Sequence, residues 1–536
     1  MLERNKLEKV LKIGEVSATG SFQLFIGKAI STIILALGSI ILARLMAPAE
    51  YGVYTIALIP SVTISLLHDW GMNPAMTKFI AQYRAIGKDE SIHDIIAAGL
   101  RFQVAIGLVL SLLSLFLANF IATTIFNRPE TAPLISIASI AILSNSLLIA
   151  SQSNFTGFER MKLTSFTLIC QSIIQSCVAP ILVLIGYGAI GAVSGYTLSF
   201  LVAGIIGVIM LYFLLFKNLK KSNARRTDKI KTLKTMLRYG VPLSISTILG
   251  SFLIQFYAFL MAFYCSDVMI GNYQIATNFS LILTFFTFPI VTVLFPAFSK
   301  LNPKSELHLL QTVFASAVKY AAMLLVPATM VTIVLAEPMV RILFGQKWVY
   351  APFFLTIYVM QNLFVLFGNL IISSFLAGIG ETKILLKLSL LNLSLGIPLA
   401  FILIPTYGIV GVILGTLFAG IPGMFLSLHW LWKHYQAKVD FKSSTKIYVA
   451  SAIAAITTYV PLNFLNVADW IELLTGGTIF LVAYVLAAPI IGAINQSDIN
   501  NLRAMLSGLG IVSKLINIPL IIAEKTLHIH YTVKRE

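Results

Sequence analysis

Few side chains able to do chemistry fall within the long apolar runs of this chain, and the charged ones there come first. Lys28 sits in "FIGKAIST", seven residues into a run that opens near residue 21, about 10 Å along a helix rising ~1.5 Å per residue. Arg44 closes the same run beside "MAPAEYG". Asp69 lies in "LLHDWGMNPA", just before a Gly/Pro break, and Arg101 and Lys319 open two later runs. A charge at membrane depth is costly unless it faces protein or water, so these five are candidates for a substrate path. Cations in a partly dehydrated cavity attract phosphate more strongly than they would in water. Each also has a plainer use. Lys28 either lines a cavity or snorkels its ammonium back to the interface, and Arg101 and Lys319 can snorkel in the same way. Asp69 can hold the break by accepting hydrogen bonds from backbone N–H groups or from Arg84.

What the apolar runs lack narrows the chemistry further. The first run and those after residue 238, up to residue 432, have no Asp or Glu in their interiors. A cation exporter driven by protons or sodium normally needs such a carboxylate, whereas cations without carboxylates suit an anionic cargo. There is no GxxxxGK[ST] loop to cradle a nucleotide, and neither paired carboxylates nor a Ser/His/Asp set occurs. We therefore expect a non-enzyme without cofactor or metal. Cys170, Cys177 and Cys265 show no metal or redox spacing and read as small buried hydrophobes. Asn145, Gln152, Asn154, Gln171, Gln175, Gln361, Asn362 and Asn369 suit hydrogen bonds between helices, or a path wet enough for sugar hydroxyls.

The elements that position these residues are transmembrane helices. Of 536 residues, 58% are hydrophobic and only 11% charged, with a mean hydropathy of +0.90, far from the balance of a soluble globular chain. Fourteen apolar stretches can be marked off, near 21–45, 52–75, 97–121, 131–153, 164–186, 189–216, 239–264, 270–296, 315–336, 349–377, 384–405, 408–432, 446–465 and 471–493. The apolar segment 504–523, interrupted by Lys514, reads as an interfacial helix. An even number of spans puts both termini on one side. One set of loops carries only Arg44, Arg128, Arg341 and Lys347, and the other holds most of the remaining Lys and Arg, including nine of them between 217 and 238 against the single acid Asp228. Positive charge marks the cytoplasmic side, so both termini are expected there. The net charge of +17 then reflects topology and anionic headgroups rather than nucleic acid.

The spans repeat. "YGAIGAVSG" at 187–195 returns as "YGIVGVILG" at 407–415, "YGVYTIA" at 51 as "IGNYQIA" at 270, and "TAPLISI" at 131 as "YAPFFLT" at 350. "FTGFERMK" matches "FLAGIGETK" through Gly157 and Gly378, and Arg101 matches Lys319. Ordered matches at nearly constant offset imply two homologous six-helix bundles, parallel because six is even. The expected organisation is an amphipathic cytoplasmic lead-in (1–20), an N-terminal lobe (21–216), a basic cytoplasmic linker (217–238) and a C-terminal lobe (239–435). Helices 13 and 14 (446–493) and a cytoplasmic or interfacial tail (494–536) follow. The fold class is all-α integral membrane, with about 14 transmembrane helices and two parallel six-helix repeats around a central cavity. The paired "YG" stretches are expected to make tight turns between consecutive spans.

These stretches, together with "DWGMNPAMTKFIAQY", "RYGVPLSIS", "LFPAFSKL" and "ILFGQKW", resemble the polysaccharide-biosynthesis flippases of the multidrug/oligosaccharidyl-lipid/polysaccharide exporter superfamily over residues 15–500. The resemblance implies a flippase in the cytoplasmic membrane. By alternating access it would translocate a polyprenyl-phosphate-linked oligosaccharide for cell-surface polysaccharide or glycan assembly. Membrane lipids, and glycosyltransferases of the same pathway, are the implied partners. It also implies a cationic cavity, onto which Lys28 and Arg44 are the two residues that carry over. The alternatives are a multidrug cation antiporter of the same superfamily, a membrane glycan polymerase or ligase, and a non-transporting scaffold.

Overall fold

Glycine and proline punctuate long apolar helices throughout the computed structural model, which describes residues 2–220, 226–280, 305–464, 467–506 and 519–527, with isolated positions 283, 298, 301, 303 and 517. The side chains of the lead-in 1–19, the middle of the basic linker (221–225), most of span eight after 280 and the stretch 507–516 lie outside the described residues. Every regular element among the described residues is helical. They form two compact units, Met1–Gly271 and Asn272–Glu536.

In the first unit the lead-in and span one run together as one helix, α1 (Leu2–Leu45). Next comes α2 (Pro48–Ser65), with Pro48 at the position where a missing N–H costs nothing. The break that follows contains Trp70 and Gly71, both at positive φ. Span two is thus an 18-residue helix, and beyond the break α3 (Met72–Ala85) starts afresh. A longer helix, α4 (Asp89–Phe120), ends in a π turn, Ile121–Ile125. It is followed by α5 (Ala132–Gly157), α6 (Met161–Leu182) and α7 (Gly188–Leu214). The unit closes with α8 (Arg226–Tyr264) and the first residues of α9 (267–280). Met72, Met76, Ile80, Ile96, Phe155, Leu211 and Met236 form the core where α3, α4, α5, α7 and α8 meet.

The continuous apolar segment through α6 and α7 is 58 residues long. A straight helix of that length would reach almost 90 Å, three times the hydrocarbon thickness of about 30 Å. It must fold back, and Gly188 is where the backbone allows it, at φ 51° and ψ −134°. Gly408, at the matching position of the second "YG" stretch and inside α14, takes φ 57° and ψ −128°. Only glycine reaches this region without strain. The tight turn therefore lies at the start of each "YG" stretch, and the rest of the stretch is helix.

The second unit contains the remainder of α9, α10 (Leu307–Val334), α11 (Ala336–Phe344) and α12 (Ala351–Val359). A 3₁₀ segment, Met360–Phe367, precedes α13 (Asn369–Gly378). The 54° bend between the segment and α13 falls at Gly368, at φ 73°, so span ten is broken rather than continuous. Then come α14 (Thr382–Tyr435), α15 (Phe441–Leu462), α16 (Asp469–Ile491) and α17 (Gln496–Leu506). Edge-to-face contacts of Phe375 with Phe298 (5.0 Å) and Phe314 (5.4 Å) mark its core.

Among the described residues nine helical segments are long and apolar enough to cross a membrane, ten with the bent pair. Two of them, 58 and 53 residues long, each contain one of the glycine turns and two of the expected spans. Of the fourteen expected stretches, span two gives an 18-residue helix that is not apolar enough throughout to be included, and span eight lies mostly outside the described residues.

Candidate functional site

The small face of α1 is committed to α6. Cβ atoms added at Gly27 and Gly38 would fall 2.2 and 2.3 Å from Ser165 and Ser176, so the helices approach almost backbone to backbone. Ser176 Oγ and Ser165 Oγ donate to the Ile34 and Gln23 carbonyls at 2.9 and 3.0 Å. Lys28 and Arg44 lie off this seam and are both exposed. They are sixteen residues apart, roughly 24 Å along an ideal helix and about 160° around it. They flank the seam on opposite sides, a geometry that does not bring both to one phosphate.

Asp69 sits in the break between α2 and α3. Its Oδ1 accepts the Asn73 N–H at 2.9 Å and a long 3.5 Å contact from Gln103 Nε2, which also donates to Asn73 Oδ1 at 3.3 Å. The carboxylate thus caps α3 and ties it to the fully buried Gln103 of α4. Of the two expected kinds of partner, it uses backbone N–H. Arg84 instead donates to the Phe158 carbonyl (2.6 Å) and pairs with Glu159 (3.1 Å). Beside the break, Gly71 and Gly240 touch so closely that a Cβ on either would lie within 2.3 Å of the other's carbonyl oxygen. Next to them the Lys78 ammonium stands 3.7 Å from the Tyr239 ring centroid.

Arg101 is exposed on α4. Its repeat counterpart Lys319 is placed quite differently. The Lys319 ammonium lies 2.6 and 2.8 Å from the two carboxylate oxygens of Asp498 on α17, and the two side chains are 16% and 5% exposed. Asp498 also accepts the Asn495 N–H, and its own N–H donates to Asn495 Oδ1. Lys319 therefore holds α17 against α10. Arg101 and Lys319, matched in sequence, do different work.

One constellation escaped the sequence reading. Arg128 Nε reaches Asp267 Oδ1 at 2.6 Å, while Nη1 donates to the carbonyls of Phe126 (2.9 Å) and Ala262 (2.5 Å) and Nη2 to that of Cys265 (2.7 Å). The guanidinium caps the C-terminal carbonyls of α8, where a cation is favoured, and holds the start of α9. There α2 and α9 cross on glycine. A Cβ on Gly52 would lie 1.9 Å from the Asp267 carbonyl oxygen, and one on Gly271 2.2 Å from that of Pro48. The contact is reciprocal, because Gly52 pairs with Gly271 and Pro48 with Asp267 at the same offset of 219. The matched "YG" and "IG" of the repeat were the signal. Nothing in the sequence said that these two stretches touch each other.

Its succession of long apolar helices makes this a multi-pass membrane protein. The chain belongs to the polysaccharide biosynthesis protein family, whose model matches residues 17–302, more than half of its length. Residues 181–485 also match the model of the lipid II flippase MurJ. The chain is 21% identical to a probable low-salt glycan biosynthesis flippase of Haloferax volcanii, over 53% of this chain and 60% of that protein. It is 22% identical to stage V sporulation protein B of Bacillus subtilis, over 60% of this chain and 66% of that one. In each case the match spans less than two thirds of the relative. Among solved structures, a lipid II flippase MurJ in an inward closed conformation superposes with a TM-score of 0.71 at 20% identity, covering 87% of this chain and 98% of that one. That likeness establishes the fold.

Proposed function

We propose that the chain is a flippase moving a polyprenyl-phosphate-linked oligosaccharide across the cytoplasmic membrane for surface polysaccharide or glycan assembly. The observation that carries this reading is the match of residues 181–485 to the lipid II flippase model, in a chain that also matches the polysaccharide biosynthesis family from residue 17. In this reading the lobes 21–216 and 239–435 alternate access to the two leaflets, and both termini are cytoplasmic. The protein catalyses no covalent step and receives its cargo from glycosyltransferases. Lys28 and Arg44, on opposite flanks of α1 and far apart along it, meet the phosphate in succession rather than together. Arg101 is a third cation for the path. Asp69 supports the break below α2, and Lys319, already paired with Asp498, is set aside.

The test is reconstitution of the full chain in liposomes with a fluorescent polyprenyl-phosphate sugar, scored by access of an external quencher. The wild type should translocate the lipid, while a folded K28A/R44A variant should be slowed about tenfold or more, as expected for losing charge-assisted phosphate contacts. Ethidium efflux with no movement of the glycan lipid would reject the proposal in favour of a cation antiporter.

A further inference from the structure

Where α6 begins, the first unit carries an open pocket of about 410 Å³, whose polar lining is Gln23, Glu159, Arg160 and Lys162. Its remaining wall is apolar, from Met161, Leu163, Leu214 and Leu215. The depth of this pocket is set by the helices around it. One apolar membrane-crossing segment starts at Phe22, and another runs from Met161 to Asn218. Gln23 thus stands where the apolar part of α1 begins, and Lys162 and Leu215 stand at helix ends, at the level where headgroups meet hydrocarbon.

The charge of the pocket is positive. The one carboxylate among its described lining residues, Glu159, is held at φ 57° and paired with Arg84, whose guanidinium also fixes the Phe158 carbonyl. Arg160 and Lys162 are exposed, and among the described residues no hydrogen bond or ion pair engages either side chain. The two bracket the start of α6, whose first turn has no side-chain cap. Two cations beside an apolar wall, at one membrane boundary, match a molecule with an anionic head and an aliphatic body. A free anion would use the cations and gain nothing from Leu163, Leu214 and Leu215. The volume lies in the range that holds a small organic headgroup, and basic pockets between helices at membrane boundaries are recognised lipid sites.

We infer that this pocket binds the phosphate headgroup of an anionic membrane lipid, with Arg160 and Lys162 on the phosphate and the apolar wall against the first tail methylenes. The site is lined by residues of α1, the turn before α6, α6 and α7, and the inference does not depend on what the protein transports. It gives the "GFERMK" stretch a role: the Glu159 turn, locked by Arg84, presents the two cations that follow it.

Native mass spectrometry of the detergent-purified full chain, titrated with dioleoylphosphatidylglycerol or dioleoylphosphatidylcholine, tests this. The wild type should retain the anionic lipid about tenfold better, and Arg160→Gln with Lys162→Gln should remove that preference. The charge-preserving pair Arg160→Lys and Lys162→Arg should keep it, and so should Lys217→Gln with Lys220→Gln, which lie outside the pocket. Leu214→Asp leaves both cations in place but puts a like charge beside the phosphate, and should also lower retention. Millimolar inorganic phosphate should not displace the lipid. Unchanged retention in the neutralised or Leu214→Asp variant, equal loss in the Lys217/Lys220 control, or displacement by inorganic phosphate would each overturn the inference.

Discussion

The reciprocal crossing of Gly52 and Gly271 can be broken by the smallest possible side chain. A methyl group on Gly52 would stand 1.9 Å from the Asp267 carbonyl oxygen, and one on Gly271 2.2 Å from that of Pro48. Carbon and oxygen settle no closer than about 3.3 Å, so each alanine demands a shift of more than about 1 Å. The obstacle in both cases is backbone, which no rotamer change can relieve. Overpacking of this kind costs about 2 kcal/mol per site, enough to lower the population of the crossed arrangement roughly 30-fold per substitution. Cys265, beside the Arg128 cap, is a native reporter. It is 7% exposed, and burial pushes its thiol up to about 11, against the opposing pull of Arg128. A thiol returned to the ordinary value near 8.5 holds roughly 200 times more thiolate at pH 8. Allowing for the weaker nucleophilicity of a less basic thiolate, the reaction should quicken about twentyfold. The assay is maleimide labelling of purified protein in which Cys170 and Cys177 are serine, with and without G52A/G271A. A folded double variant that labels at the parent rate would refute the idea that these glycines permit the crossing.

Removing Asp498 should strand the buried Lys319 ammonium, so D498A is expected to lose about 3 kcal/mol of stability, with K319M/D498L recovering most of it; thermal melts of all three decide. Asp440 accepts the Ser443 N–H at the start of α15, and bonding from Ser443, aided by Lys319, holds its carboxyl below the ordinary value. The stabilisation is therefore complete above about pH 4 and fades as pH falls through the depressed value. D440A should melt lower than wild type at neutral pH, by a cap's worth of about 1 kcal/mol, and the two curves should converge in acid. A cysteine at Lys220 should resist an impermeant thiol reagent in intact cells while one at Asp267 reacts, and the opposite pattern would invert the topology.

Helix existence was legible because spacing alone reveals it. Long apolar runs bounded by charge became α1, α4 to α8, α10 and α14 to α16. Breaks were harder. The break after span two was marked by "LLHDWGMNPA", where Trp70 and Gly71 turn into positive φ, but span ten bends at Gly368, where the hydropathy is not interrupted. The repeat was readable at the level of residue matches. Gly188 and Gly408, in the matched "YG" stretches, take similar backbone angles. Pairings were not readable. Lys319 and Asp498 are 179 residues apart, and Arg128 and Asp267 are 139 apart. No local pattern links charges at such distances, so Lys319 looked as free as Arg101.

In the language of symmetry the glycine crossing is isologous: the segment from Pro48 to Gly52 gives the segment from Asp267 to Gly271 the same contact it receives. A two-fold dimer would have to write both halves with one set of residues. A single chain writes each half separately, and here they differ where charge is concerned. Asp267 offers a carboxylate that Arg128 grips, whereas Pro48 has none to offer. The device is even-handed in shape and one-sided in charge. Losing the Arg128–Asp267 pair can therefore loosen one of its halves while leaving the steric fit of the other untouched.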